Sequence, residues 1–168
     1  GESGCGETER GRGGGGGGGG ARNGGTARIV VGRDRRVWGR TFQPDVHAAI
    51  QSAGCNVLDI GMVPTPTVQL AVEHHKAAGG LAITASHNPI EWNALKFIGP
   101  SGLFLDAAEA ADMRNVVDGK IPRATWGKPG TVSADPDAAR ETHDTIRARP
   151  FLDEDGRRKR GLRVARQG

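Results

Sequence analysis

Three short apolar runs separated by helical patterns limit this chain to few folds. Ile29-Val30-Val31-Gly32 is a β-branched run closed by glycine, the mark of a strand buried on both faces. Residues 41–53 then place Phe42, Val46, Ala49, Ile50 and Ala53 on one helical face. Thr41 is the expected N-cap, Pro44 is tolerable in a first turn and Gly54 is the stop. Asn56 to Gly61 reads as a second strand, and Pro64-Thr65-Pro66 breaks the chain. Val68, Leu70, Ala71, Val72 and His75 predict a second helix that runs out near Gly79-Gly80, and Leu81-Ala82-Ile83-Thr84 a third strand. Strand, helix, strand, helix, strand at this spacing predicts right-handed βαβ crossovers and a largely parallel sheet with helices on its faces. Leu95 to Ile98 adds a strand after a tight connection that permits an antiparallel direction, and Ala107 to Val117 a further helix. The expected class is α/β: a three-layer α/β/α sandwich with a mainly parallel mixed sheet, in one domain over residues 28–135.

The two ends differ from this middle. Fourteen of the 28 glycines fall in residues 1–25, and Gly13 to Gly20 are unbroken, so residues 1–27 are expected to be a disordered head. Residues 136–168 are expected to hold a linker helix over Asp137 to Arg149, then a strand at Leu162 to Ala165 that opens a second, truncated domain.

Charge is uneven as well. Residues 157–168 hold six Lys or Arg and no acid, whereas residues 28–156 carry 14 basic and 16 acidic side chains. A basic tail beside a Gly/Arg-rich head could bind nucleic acid nonspecifically. No interleaved aromatics, Cys/His zinc pattern or long basic helix accompanies it, so no specific nucleic-acid partner is expected. Cys5 and Cys55 are the only cysteines and imply no disulfide framework. No apolar stretch approaches the roughly 20 residues that cross a bilayer, and no hydrophobic signal region opens the chain. The expectation is a soluble cytoplasmic protein without a membrane partner.

Open α/β sheets gather ligands at the carboxyl ends of their strands, and the third strand delivers Ser86, His87 and Asn88 there, before Pro89 turns the chain away. Backbone N–H groups in such a turn can hold an anionic phosphate. His87 offers a titratable group and Lys96 a fixed positive charge, both useful in phosphoryl transfer. The same residues also read as an ordinary turn, with Ser86 and Asn88 satisfying local hydrogen bonds and His87 on the surface. A Ser-His-Asp hydrolase fits less well, because the Gly-x-Ser-x-Gly elbow is absent.

Several motifs in order resemble the first domain of the α-D-phosphohexomutases (phosphoglucomutase, phosphomannomutase and phosphoglucosamine mutase). They are Val31-Gly32-Arg33-Asp34-Arg35-Arg36, Asp59-Ile60-Gly61, Val63-Pro64-Thr65-Pro66-Thr67, Gly79-Gly80, Ile83-Thr84-Ala85-Ser86-His87-Asn88-Pro89 and Trp92-Asn93-Ala94-Leu95-Lys96-Phe97. The match covers about residues 28 to 118. The resemblance implies that Ser86 is a phosphoserine whose phosphoryl group moves to a hexose phosphate, forms a hexose 1,6-bisphosphate and returns from the other hydroxyl. It implies Mg²⁺ bound through the phosphate on Ser86, hexose 1,6-bisphosphate as activator, and His87 and Lys96 as aids to proton transfer. Asn88 would contact phosphate or, with Pro89, shape the loop. Arg33 and Asp34 are expected in a salt-bridged structural role at the end of the first strand. The resemblance assigns no role to Trp38 or His74-His75, and His47 and His143 are too scattered to suggest a metal site.

The chain also departs from the family pattern. The resemblance implies four domains, with the Asp-Gly-Asp-x-Asp metal segment, the sugar-recognising loop and a C-terminal phosphate loop outside this chain. Ala94 stands where glycine is expected and Trp38 where serine is expected. The expectation is therefore a truncated or frame-shifted first domain with little or no mutase turnover alone. It would act with the missing domains in trans or self-associate, or else serve as a noncatalytic phosphate- or partner-binding module.

Overall fold

The computed structural model describes residues 26–117 and 123–148. The expectations for most of the head and for the basic tail with its strand lie outside the described residues. Among the described residues, five strands, β1 (Arg28–Arg33), β2 (Asn56–Met62), β3 (Gly79–Ile83), β4 (Leu95–Ile98) and β5 (Val132–Ala134), alternate with four helices, α1 (Val37–Ser52), α2 (Thr65–His74), α3 (Ala107–Val117) and α4 (Ala138–Arg147). The strands form one sheet in the order β4-β3-β1-β2-β5. Neighbours are parallel except β4, which runs antiparallel to β3. This is the expected α/β/α sandwich with its mixed sheet.

Alternation along β1 explains the layers. Val30 and Val31 are both fully buried, but successive strand side chains point to opposite faces. Val30 joins Leu58, Ile60, Val68 and Val72 on the α2 side, while Val31 joins Val57 and Ile83 on the α1 side, where Val46 and Ile50 cover them. Each such side chain contributes about 1.5–3 kcal/mol on leaving water. A central strand sandwiched in this way must be apolar throughout, hence the unbroken run.

Other elements depart from expectation for identifiable reasons. Helix α1 begins at Val37 rather than after Thr41; Arg36 occupies the N-cap without a side-chain cap bond. The turn is made instead by Asp34, whose Oδ1 accepts from the Arg36 backbone N–H at 2.9 Å. Pro44 therefore lies inside the helix, not in its first turn, where it withholds one donor from the helical ladder. Gly54 does end α1, at φ +85°. Gly79 and Gly80 belong to β3 rather than to the loop before it. A Cβ on Gly80 would sit 2.6 Å from Val72 Cγ2, and one on Gly79 2.9 Å from the Ile98 carbonyl oxygen. Here glycine gives close approach of layers, not a break. Strand β5 was not anticipated: its three residues are all exposed and show no alternation. Cys55 is buried just before β2. No helix among the described residues is long and apolar enough to cross a membrane.

Candidate active site

Strand β3 ends at Ile83, and the chain then forms the loop that carries the candidate chemistry. Thr84 is buried; its hydroxyl donates to Asp34 Oδ2 at 2.8 Å and accepts from the Ser86 backbone N–H at 3.2 Å. Ser86 follows at φ +54°, in the left-handed region that non-glycine residues rarely adopt. Its side chain is exposed, with Oγ 3.1 Å from His87 Nδ1. Two turns close behind it, as the Asn88 N–H donates to the Ala85 carbonyl and the Trp92 N–H to the Pro89 carbonyl, both at 3.1 Å.

Arg36 holds this loop from beneath. Nε donates to Asp34 Oδ2 at 3.1 Å, Nη1 to the Pro89 and Trp92 carbonyls at 2.6 and 3.0 Å, and Nη2 to the Ser86 and Asn88 carbonyls at 3.0 and 2.8 Å. These bonds use the full donor fork of a guanidinium. The side chain is only 10% exposed, so its charge needs the Asp34 carboxylate beside it. The arrangement has an electrostatic consequence. In a trans peptide the C=O and the following N–H point in opposite directions, so drawing the Ser86 carbonyl toward Arg36 turns the His87 N–H away from it. That N–H has no hydrogen-bond acceptor among the described residues.

The residues singled out in the sequence fall into two groups. Ser86 and His87 meet within hydrogen-bond distance, and Asn88 shares their exposed loop. Lys96 stands apart: its Nζ lies 5.6 Å from the centre of the Phe104 ring and forms no hydrogen bond with Ser86 or His87. Asp34 does form the expected salt bridge, but with Arg36. Arg33 instead donates to Gln43 Oε1 at 2.9 Å, and Gln43 donates to Asp59 Oδ2 at 2.7 Å. Arg36 is the residue that the sequence reading missed. Its loop partners lie 50 to 56 positions away, and only its place two residues after Asp34 hinted at a paired guanidinium.

A divalent cation tests the donor set differently. Mg²⁺ requires near-octahedral oxygen coordination. Ser86 could present phosphate oxygens, but both Asp34 oxygens are already engaged, with Arg36 and Thr84. The described residues thus offer one anchor for Mg²⁺ and not a cage.

Comparison with known proteins gives a consistent family. The phosphoglucomutase/phosphomannomutase α/β/α domain I pattern matches residues 18–121. A phosphoglucomutase/phosphomannomutase of Thermococcus kodakarensis is 40% identical over 103 residues, which are 61% of this chain and 23% of the relative. A phosphoglucosamine mutase of Pelotomaculum thermopropionicum is 40% identical over 122 residues, 71% of this chain and 27% of the relative. Among solved structures, one described as a putative phosphomannomutase from Thermus thermophilus superposes with a TM-score of 0.64 at 30% identity, over 78% of this chain and 29% of its own. The chain spans about a quarter of the length of the curated relatives it matches.

Proposed function

Because the chain belongs to the phosphoglucomutase/phosphomannomutase family, as its α/β/α domain I, we propose that Ser86 is a phosphoryl carrier for hexose phosphates. One observation carries the reading: Ser86 is held in a strained left-handed turn with its hydroxyl exposed and 3.1 Å from His87 Nδ1. Strain kept at an exposed nucleophile is a mark of function rather than of folding.

The half-reaction follows from that geometry. In the tautomer with Nδ1 unprotonated, the Ser86 hydroxyl donates to His87, which takes the proton as Oγ attacks the phosphorus of a hexose 1,6-bisphosphate. The Oγ–P bond forms, the sugar O–P bond breaks, and the sugar oxygen recovers a proton to leave a hexose monophosphate. The His87 N–H, without an acceptor among the described residues, would bond a phosphoryl oxygen, and the Arg36 scaffold holds the loop so that little reorganisation accompanies the transfer. Mg²⁺, anchored on the Ser86 phosphate, would supply charge neutralisation. Asn88, exposed on the same loop, would contact phosphate. Lys96 enters through the family resemblance alone, its ammonium lying against Phe104. The step assigned to the residues of this chain is the carrier step, in the cytoplasm.

A second reading, a noncatalytic phosphate-binding module, is favoured by the single Mg²⁺ anchor. Intact-mass spectrometry with site mapping separates the two, after incubation with glucose 1,6-bisphosphate and Mg²⁺. A gain of about 80 daltons, one phosphoryl group, mapping to Ser86 and absent in Ser86→Ala, is the expected result. A folded chain that gains no mass would sink the carrier reading and leave the binding module.

A further inference from the structure

Helix α2 ends in His74, and His75 occupies its C-cap. The parallel crossover puts this end of α2 away from the Ser86 loop, which lies at the sheet edge where α2 begins. Here three separate stretches of chain converge. His75 Nε2 lies 3.0 Å from Oδ2 of Asp135, which directly follows β5, and His74 Nε2 lies 3.8 Å from Glu141 Oε2 on α4. The two imidazoles stand edge to face, with centroids 4.9 Å apart. Ligand atoms of His74, His75 and Glu141 all lie within 4.8 Å of one another.

The geometry points to a transition-metal site of the zinc class, held by His74, His75 and Glu141. Tetrahedral zinc with bonds of about 2.0–2.1 Å needs ligand atoms roughly 3.3 Å apart. Rotations of His74 and Glu141 can supply the contraction, because their side chains are 60% and 36% exposed and neither is bonded into the core. His75 is the pre-set member, 20% exposed beside an Asp135 that is 14% exposed. A carboxylate on one imidazole nitrogen fixes the ring and raises the basicity of the other, the usual outer-sphere partner of a metal-bound histidine. Two imidazoles and one carboxylate select zinc, cobalt or nickel over Mg²⁺ or Ca²⁺, which prefer all-oxygen sites. The carbonyl end of α2 adds a favourable field for a cation. Such an ion fastens α4 to the end of α2, with water in the fourth position, and is separate from any Mg²⁺ at Ser86.

The test is calorimetric titration of the tag-free, chelator-stripped full chain with Zn²⁺ alone, with thermal melts in parallel. One saturable equivalent and a melting point that rises with zinc concentration are expected, since a ligand bound only by the native state stabilises it. His74→Ala, an exposed change, should abolish that equivalent, and Asp135→Asn should weaken it on the order of tenfold while keeping an oxygen for the Asp137 N–H that Asp135 accepts. His143→Ala, on the same helix as Glu141 but paired with Asp144, should bind zinc as the parent does. Absence of saturable binding overturns the proposal. So does His74→Ala binding like the parent, or His143→Ala losing as much as His74→Ala.

Discussion

At the scale of single residues, Ser86 and Arg36 divide the work of the loop between exposed chemistry and buried support. The φ of +54° at Ser86 brings Cβ toward the neighbouring backbone, which costs a non-glycine residue about 1–2 kcal/mol. Ser86→Gly should therefore be more stable than Ser86→Ala by about 1 kcal/mol in urea denaturation, although both lose the hydroxyl. A gain confined to Ser86→Ala would mean that the strain is not present in solution. Arg36→Met should be far more damaging, because it leaves the part-buried Asp34 carboxylate without its ion-pair partner and the Ser86, Asn88 and Trp92 carbonyls without their donor, while the Pro89 carbonyl keeps only the Trp92 N–H. A loss of about 3–5 kcal/mol is expected for breaking such a pair. Arg36→Lys should recover only part of it, since an ammonium cannot span the planar fork; full recovery in the same denaturation assay would show that charge alone suffices. The sequence made Ser86 and His87 legible because they are neighbours in a recognisable motif. It did not reveal Arg36, because an arginine after a strand looks like any surface charge until folding brings residues 86–92 onto it.

At the scale of elements, an unbroken apolar run was a sound guide to a strand covered on both faces, and signals that carry two meanings were poor guides. The runs at β1, β2 and β3 were readable in that way, and α3 stands where its pattern predicted it although it buries no residue. The start of α1 was not, because an Asp34 turn replaces the side-chain cap that Thr41 offered in the sequence. The bounds of β3 were hidden by Gly79-Gly80, since a glycine pair signals both a break and a close approach. The space around these glycines supports a test. Gly80→Ala would place Cβ 2.6 Å from Val72 Cγ2, an overpacking expected to cost about 1–3 kcal/mol. The double variant Gly80→Ala/Val72→Ala should lose less than the sum of the two single changes, because the missing Val72 methyls make room for the added one. Denaturant midpoints of the four proteins measure that coupling, and strict additivity would show that the clash is relieved elsewhere.

At the scale of the molecule, the sheet extends outward from β1, and its β5 edge is attached to β2 by hydrogen bonds rather than by buried side chains. Residues of β5 are all exposed, so the helix that follows must be held by its own contacts. Among the described residues, Ala138, 2% exposed, is the α4 residue that enters the core shared with Val68, Ala71 and Val72. The His75–Asp135 and His74–Glu141 pairs add polar links on that face. No apolar stripe along α4 announced this attachment in the sequence, where a single alanine carries almost no signal. Ala138→Asp places a carboxylate in that apolar core, and a charge in such surroundings is tolerated only if it returns to water. The cheaper response is local: α4 and β5 release while β1, β2, β3 and α2 stay paired, as regions of low local stability open independently of the rest. Hydrogen exchange should then show protection lost over 132–147 and retained over β1 and β3. Uniform loss of protection would mean instead that the β5–α4 segment is part of one cooperative unit with the central sheet, held by more than Ala138 and the two histidine pairs.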